Sequence, residues 1–285
     1  MVRRPVVAGQ FYAYDPRELE KQIESCFLSP NGPGVLPVSK RKGICIGIIA
    51  PHAGYVFSGP CAAWAYKELA ESRLPDIFFV LGTDHVGRGV TSTTLEDWET
   101  PLGIVKVDRA MAEQLIECSR LRADAHLHAM EHSIEVQLPF LQFITRDKER
   151  LRIIPISVSR DIDLKAFALD IKDVLIAANK TAAFIASSDF THYGRSYGFV
   201  PFTSDVAKRM YELDRKALGF IKRLDPEGFL SYVAETGATI CGARPIALLM
   251  YLVKAKRVKL LQYYTSADII GDYNNAVGYA AISFE

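Results

Sequence analysis

Four polar side chains stand just beyond three apolar runs of this chain. His52 follows GIIAP (47–51), His85 follows IFFVLGTD (77–84), and Asp189 and His192 follow TAAFIASS (181–188). Neutral imidazole is the commonest metal ligand, so two histidines at the ends of neighbouring strands can converge on one ion. A carboxylate and an imidazole three residues apart, as at Asp189 and His192, can orient a ligand or move a proton. The other reading of SSDFTH is a capped turn, with Ser187, Ser188 and Thr191 bonding the backbone. Cys241 lies in Ile240-Cys241-Gly242 just before a helical pattern. It reads either as a small buried hydrophobe or as a thiol whose pKa is lowered by a helix start. His126 and His128 form an HxH pair expected on a solvated loop, and Glu131 and His132 precede a helix with Glu135 one turn on.

The elements that must position these groups follow from periodicity. A strand over 44–50, a helix over about 58–73 and a strand over 77–82 make one βαβ unit. Its right-handed crossover puts His52 and His85 on the same rim, at the ends of adjacent strands. Ligands of open α/β sheets bind at that rim, the carboxyl ends of the strands. Further buried strands are expected at 151–159 and 181–188, and helices at 109–119, 161–178, 205–222, 225–236 and 246–254. Residues 91–108 read as two extended segments about a Pro-Leu-Gly turn, and 259–267 and 277–285 as antiparallel partners. Asp15-Pro16 suits a helix start, with Asp15 as N-cap. SPNGPGVLPVSKRKG (29–43) reads as loop. The whole predicts one α/β domain over 1–285, with a central mixed, largely parallel sheet flanked by helices.

Composition narrows the function. The chain has 285 residues and a formal net charge of +1, which gives no electrostatic case for nucleic acid or an anionic membrane. No apolar run reaches the roughly 18 residues that a bilayer span needs. The N-terminus carries no apolar signal-peptide core, so a cytoplasmic protein is expected. Five cysteines (26, 45, 61, 118, 241) are odd in number and never spaced CxxC, which argues against a disulfide framework.

Five motifs in order, APHAGYVFSG, LGTDH, EHSIEVQLPFL, SSDFTHYG and ICGARP, together resemble the Memo family, which is similar in fold to class III extradiol dioxygenases. The resemblance implies a pocket in which His52, His85 and Cys241 hold one transition-metal ion, Fe(II) or copper before zinc. Asp189 and His192 would line it, with His192 where the dioxygenases keep a catalytic base. Glu131, His132, Tyr55 and Phe11 would contact a ligand. Cys241 departs from the two-histidine, one-carboxylate set of the dioxygenases. Phe11 stands where animal Memo proteins have tryptophan, and Val86 replaces a second histidine after His85. The expected activity is metal-dependent redox or oxygen chemistry on a small molecule or short peptide, by a monomer or homo-oligomer. The alternatives are a pocket that binds a phosphorylated or acidic ligand or handles metal, and a zinc hydrolase.

Overall fold

The computed structural model describes residues 1–38, 43–145 and 147–285; part of the expected 29–43 loop therefore lies outside the described residues. Five strands run parallel, in the spatial order Gly103–Val107, Arg152–Val158, Ile77–Thr83, Ala182–Ser187 and Gly47–Ala50. The inner ones are apolar throughout because helices cover parallel sheets on both faces, leaving no solvent side to alternate with. Asn275–Phe284 pairs antiparallel with Gly47–Ala50, with Val258–Thr265 and with the short strand His192–Gly194. The opposite edge carries Asp97–Thr100, antiparallel to Gly103–Val107, and then Val2–Arg3. This is the expected mixed, mostly parallel α/β sheet.

Two groups of helices pack against it. Tyr55–Glu71 lies against Gly47–Ala50 and Asn275–Phe284, with Pro16–Leu28 and Leu138–Ile144 beside it. Ala243–Leu252 lies against Ile77–Thr83 and Ala182–Ser187, next to Leu164–Ala177 and Pro226–Thr236. Asp15 caps Pro16–Leu28 as its sequence predicts, accepting from the amides of Arg17 and Glu18. The helix after His52 begins three residues earlier than its pattern indicates, at Tyr55, and contains Pro60. Among the described residues no helix is long and apolar enough to cross a membrane.

One sequence expectation changes in a useful way. The strands that precede His52 and His85 are not adjacent, because Ala182–Ser187 lies between them. Ala50 is level with Ser187, and Leu81 with Ala186, so all three strands end at one rim. The intervening strand brings Asp189 to the same rim, where it accepts from the His52 amide, while the two imidazoles meet edge to face at 5.2 Å. Two glycines make the rim compact. A Cβ at Gly82 would stand 2.5 Å from both Ile134 Cγ1 and Ser133 Oγ, so only glycine lets the 131–135 segment close over this strand. A Cβ at Gly242 would lie 2.4 Å from Ser188 Cβ and 2.6 Å from the Ser187 carbonyl, which is how Cys241 reaches the rim.

Candidate metal-binding pocket

Ser187 sets the orientation of His52. Its hydroxyl donates to the Ser133 carbonyl (2.7 Å) and accepts from Gln137 Nε2 (2.7 Å). A hydroxyl has one proton, already given away, so toward His52 Nδ1 at 2.9 Å it can only accept. His52 therefore carries its hydrogen on Nδ1 and a lone pair on Nε2, which faces Cys241 Sγ at 3.2 Å. Burial, then the neighbouring His85 and His132, hold the His52 pKa well below its usual value, so the ring stays neutral.

His85 follows the same logic with a different anchor. Its Nδ1–H donates to Glu131 Oε1 at 2.9 Å, and its backbone N–H donates to Glu131 Oε2 at 2.9 Å. Burial opposes a charge on His85, but the hydrogen bond and negative charge of Glu131 outweigh it and raise the pKa. Burial likewise works against ionised Glu131, yet His85 and the Ser133 donors hold that carboxyl down at about 2. Each histidine thus gives Nδ1–H to the protein and keeps Nε2 free, the arrangement that second-sphere partners impose on metal ligands. One nitrogen each from His52 and His85, with Cys241 Sγ, lie within 4.8 Å of one another. Two imidazoles and a soft sulfur suit a transition ion and leave coordination positions for a ligand.

The thiol departs from its sequence reading. Gly242 caps Ala243–Leu252, so Cys241 does stand at a helix start. Burial, with the Asp189 charge, nevertheless drives its pKa up, and this outweighs the Asp189 backbone N–H that points at Sγ from 3.2 Å. A bound cation is what would make it a thiolate.

Asp189 is buried and accepts from the His52 and Ala53 amides at 2.8 and 3.3 Å. Burial raises its pKa against the pull of His192 and those amides. His192 donates Nδ1–H to the Thr239 carbonyl (3.0 Å), leaving Nε2 uncommitted 4.0 Å from Asp189 Oδ2.

The remaining expected residues divide. His132 and Phe11 line the cavity, their rings 5.1 Å apart, and His132 stacks on His85 at 4.6 Å. Glu131 is fully buried and engaged with His85 and Ser133, so it aligns a histidine, and its carboxylate lies within 4.8 Å of ligand nitrogens of His85 and His132. Tyr55 needs correcting as a ligand contact: its hydroxyl donates to the Val136 carbonyl (2.7 Å), its ring packs on Tyr12 and Phe140, and it is core. His128 is also corrected, being fully buried on a short helix capped by Asp124, while His126 is exposed as expected. Ser187 was legible only as a turn residue, and nothing local marks Thr239 or Tyr197 as neighbours of His192.

The fold and this donor set define an α/β protein with a histidine- and cysteine-lined rim pocket. A family model described as Memo-like protein matches residues 3–283. A MEMO1 family protein of Methanopyrus kandleri is 42% identical, covering 100% of this chain and 99% of its own. Those of Methanothermobacter thermautotrophicus and Nitrosopumilus maritimus are 37% and 38% identical over 99% and 100% of this chain, and over 100% of their own lengths. The chain belongs to the Memo family. A crystal structure of an uncharacterized Escherichia coli K12 protein shares the fold, with a TM-score of 0.54 and 12% identity, over 85% of this chain and 100% of that one.

Proposed function

We propose that this chain binds one transition-metal ion through His52, His85 and Cys241, and that His192 with Asp189 handles a proton beside it. The observation that carries this reading is the shared orientation of the two imidazoles, both anchored by Nδ1–H with Nε2 left over, next to a sulfur that reaches the same point. Fe(II) or copper would supply electron transfer or oxygen chemistry there, and zinc a Lewis acid. The protein's own part is to orient the donors, shape the pocket, and offer His192 Nε2 as the base for a small-molecule ligand.

The test is metal analysis of protein purified without oxygen, then titration of metal into chelator-treated protein. His52→Ala, His85→Ala and Cys241→Ala should each weaken binding by more than about 100-fold, beyond what loss of a supporting partner costs. His192→Ala should keep the metal and lower any turnover by about 10²–10⁴. Redox-active iron or copper in the native protein favours oxidation chemistry, and zinc favours hydrolysis. Tight stoichiometric metal in a His52→Ala/Cys241→Ala double variant would overturn the assignment.

A further inference from the structure

Two cavities meet at the rim. One, about 510 Å³, is lined by His52, Asp189, His132, Phe11 and Phe57 among others. The second, about 570 Å³, reaches Cys241 from the other side and extends to Arg160, Arg244, Ser159 and Thr239. They share His85, His192 and Tyr197, so the proposed metal centre sits at the neck between them. No expected site residue other than His85, His192 and Cys241 touches the second compartment, whose chemistry therefore stands unassigned.

That chemistry can be read by counting donors. Of the four hydroxyls that line the second compartment, three have already spent their protons. Thr83 Oγ1 donates to the Cys241 carbonyl (3.0 Å), Ser159 Oγ to Asp84 Oδ2 (3.0 Å), and Thr239 Oγ1 to the His192 carbonyl (2.7 Å). His85 and His192 engage Nδ1 elsewhere, with Glu131 and the Thr239 carbonyl. Asp84, the one acid on the wall, accepts from the amides of Gly87, Arg88 and Gly89 besides Ser159, which fills its acceptor sites. Asp161 and Asp163 lie near Arg244 but line neither cavity, and bond Thr91 and the first turn of Leu164–Ala177.

The donors left over are three. Arg244 spends Nε on the Ser159 carbonyl and Nη2 on the Ile162 carbonyl, which fixes the guanidinium and leaves Nη1. Arg160 is exposed on the wall, and neither arginine has a carboxylate within 4.0 Å among the described residues. The Tyr197 hydroxyl has no partner among those residues, and its ring stands edge-on to His192 at 5.1 Å. One fixed and one exposed guanidinium and a phenol, on a wall otherwise made of engaged polar groups and of apolar Val158, Val233, Ala238 and Ile240, call for a ligand group that accepts. The positive end of Ala243–Leu252 lies on the same wall.

We infer that this second compartment binds the carboxylate of a small organic acid through Arg244, Arg160 and Tyr197, with the rest of the molecule directed to the neck. A two-oxygen monoanion matches this small set of donors. The compartment adjoins the proposed metal centre but needs no ion of its own.

The experiment uses full-length protein treated with chelator, so that a carboxylate cannot gain affinity by coordinating metal. Calorimetric titration with 4-phenylbutyrate and its neutral isostere 4-phenylbutanamide should show the acid binding about tenfold or more tightly, the scale of a charge-assisted hydrogen bond. Arg244→Gln should erase most of that preference. Because Arg244 also holds the 159–162 segment, Arg160→Gln and Tyr197→Phe are read beside it, and each should reduce the preference several-fold. Equal binding of acid and amide, or an undiminished preference in both Arg160→Gln and Tyr197→Phe, overturns the inference. Tighter binding of phenyl phosphate than of the acid overturns the carboxylate assignment. A preference for the acid in a protein that takes up no metal would leave this inference standing while the metal reading falls. Metal uptake without the preference does the reverse.

Discussion

Glu131 and Glu135 lie four residues apart on one short stretch, both fully buried, and do opposite work. Glu135 faces the N-terminal segment. It ion-pairs with Arg3, accepts from the amides of Val6 and Val7, and takes the Tyr12 hydroxyl at 2.6 Å. Arg3 in turn stacks over Trp98 at 4.3 Å and donates to the carbonyls of His128 and Glu131. Every atom of that cluster is directed at the fold. Glu131 instead spends its carboxylate on His85 and Ser133, and the histidine it aligns keeps an uncommitted nitrogen at the cavity. Burial of charge alone does not separate structure from chemistry. What separates them is whether a donor or lone pair is left over at the end of the chain of bonds.

The largest effect should come from breaking the structural cluster. Glu135→Ala leaves Arg3 buried without its partner and should cost about 3–5 kcal/mol. Chemical denaturation gives that loss, while metal affinity of the folded fraction should stay within a few-fold. A variant of normal stability that cannot bind metal would erase the contrast between the two glutamates.

His128 tests the structural side through pH. Burial holds its pKa down at about 4, against about 6.5 when unfolded. Between those values the unfolded chain binds more protons, so stability rises with pH across the window and is lost as pH falls from about 6.5 to about 4. The loss is up to about 3 kcal/mol. Asp214 slopes the other way, because burial pushes its carboxyl up to about 6 and its contribution is lost as pH rises through that value. The difference between wild type and His128→Gln isolates the histidine, and identical pH slopes for the two would show that it is not held neutral.

The smallest change sharpens the functional side. Glu131→Gln keeps the shape but weakens the hold on His85 Nδ1–H, and should lower metal affinity by about 10–100-fold. Its stability cost should be nearer 1 kcal/mol. Denaturation and metal titration on the same sample separate it from Glu135→Ala, and a reversed pattern would exchange the roles of the two residues.

The parallel strands and most helices were legible because fully apolar runs and 3.6-residue stripes survive in one dimension. The rim position of His52 and His85 was legible through the handedness of the βαβ crossover. Their strand adjacency was not, since nothing local says that Ala182–Ser187, more than a hundred residues on, inserts between them. Tyr55 and His128 went astray for a related reason. A tyrosine in a site motif and a histidine in a polar stretch look exposed until Val136, Trp98 and Ser92 fold around them. Of the two readings of Cys241, the lowered thiol pKa fails, because burial outweighs a helix start. Arg160 carried no signal and Arg244 only its place in ICGARP, for their meaning lies in which neighbouring protons are already committed.

The strand Asn275–Phe284 has a temporal consequence. It supplies the antiparallel partner of the strand leading to His52, more than two hundred residues earlier in the chain. During synthesis at roughly 5–20 residues per second, Gly47–Ala50 leaves the ribosome well before that partner exists. For ten seconds or more, on the order of the elongation time, one flank of a wholly apolar strand is an open template for pairing. The rim pocket is thus flanked only once this strand has been made, and a cell that stalls or truncates translation before residue 275 exposes the segment that carries His52.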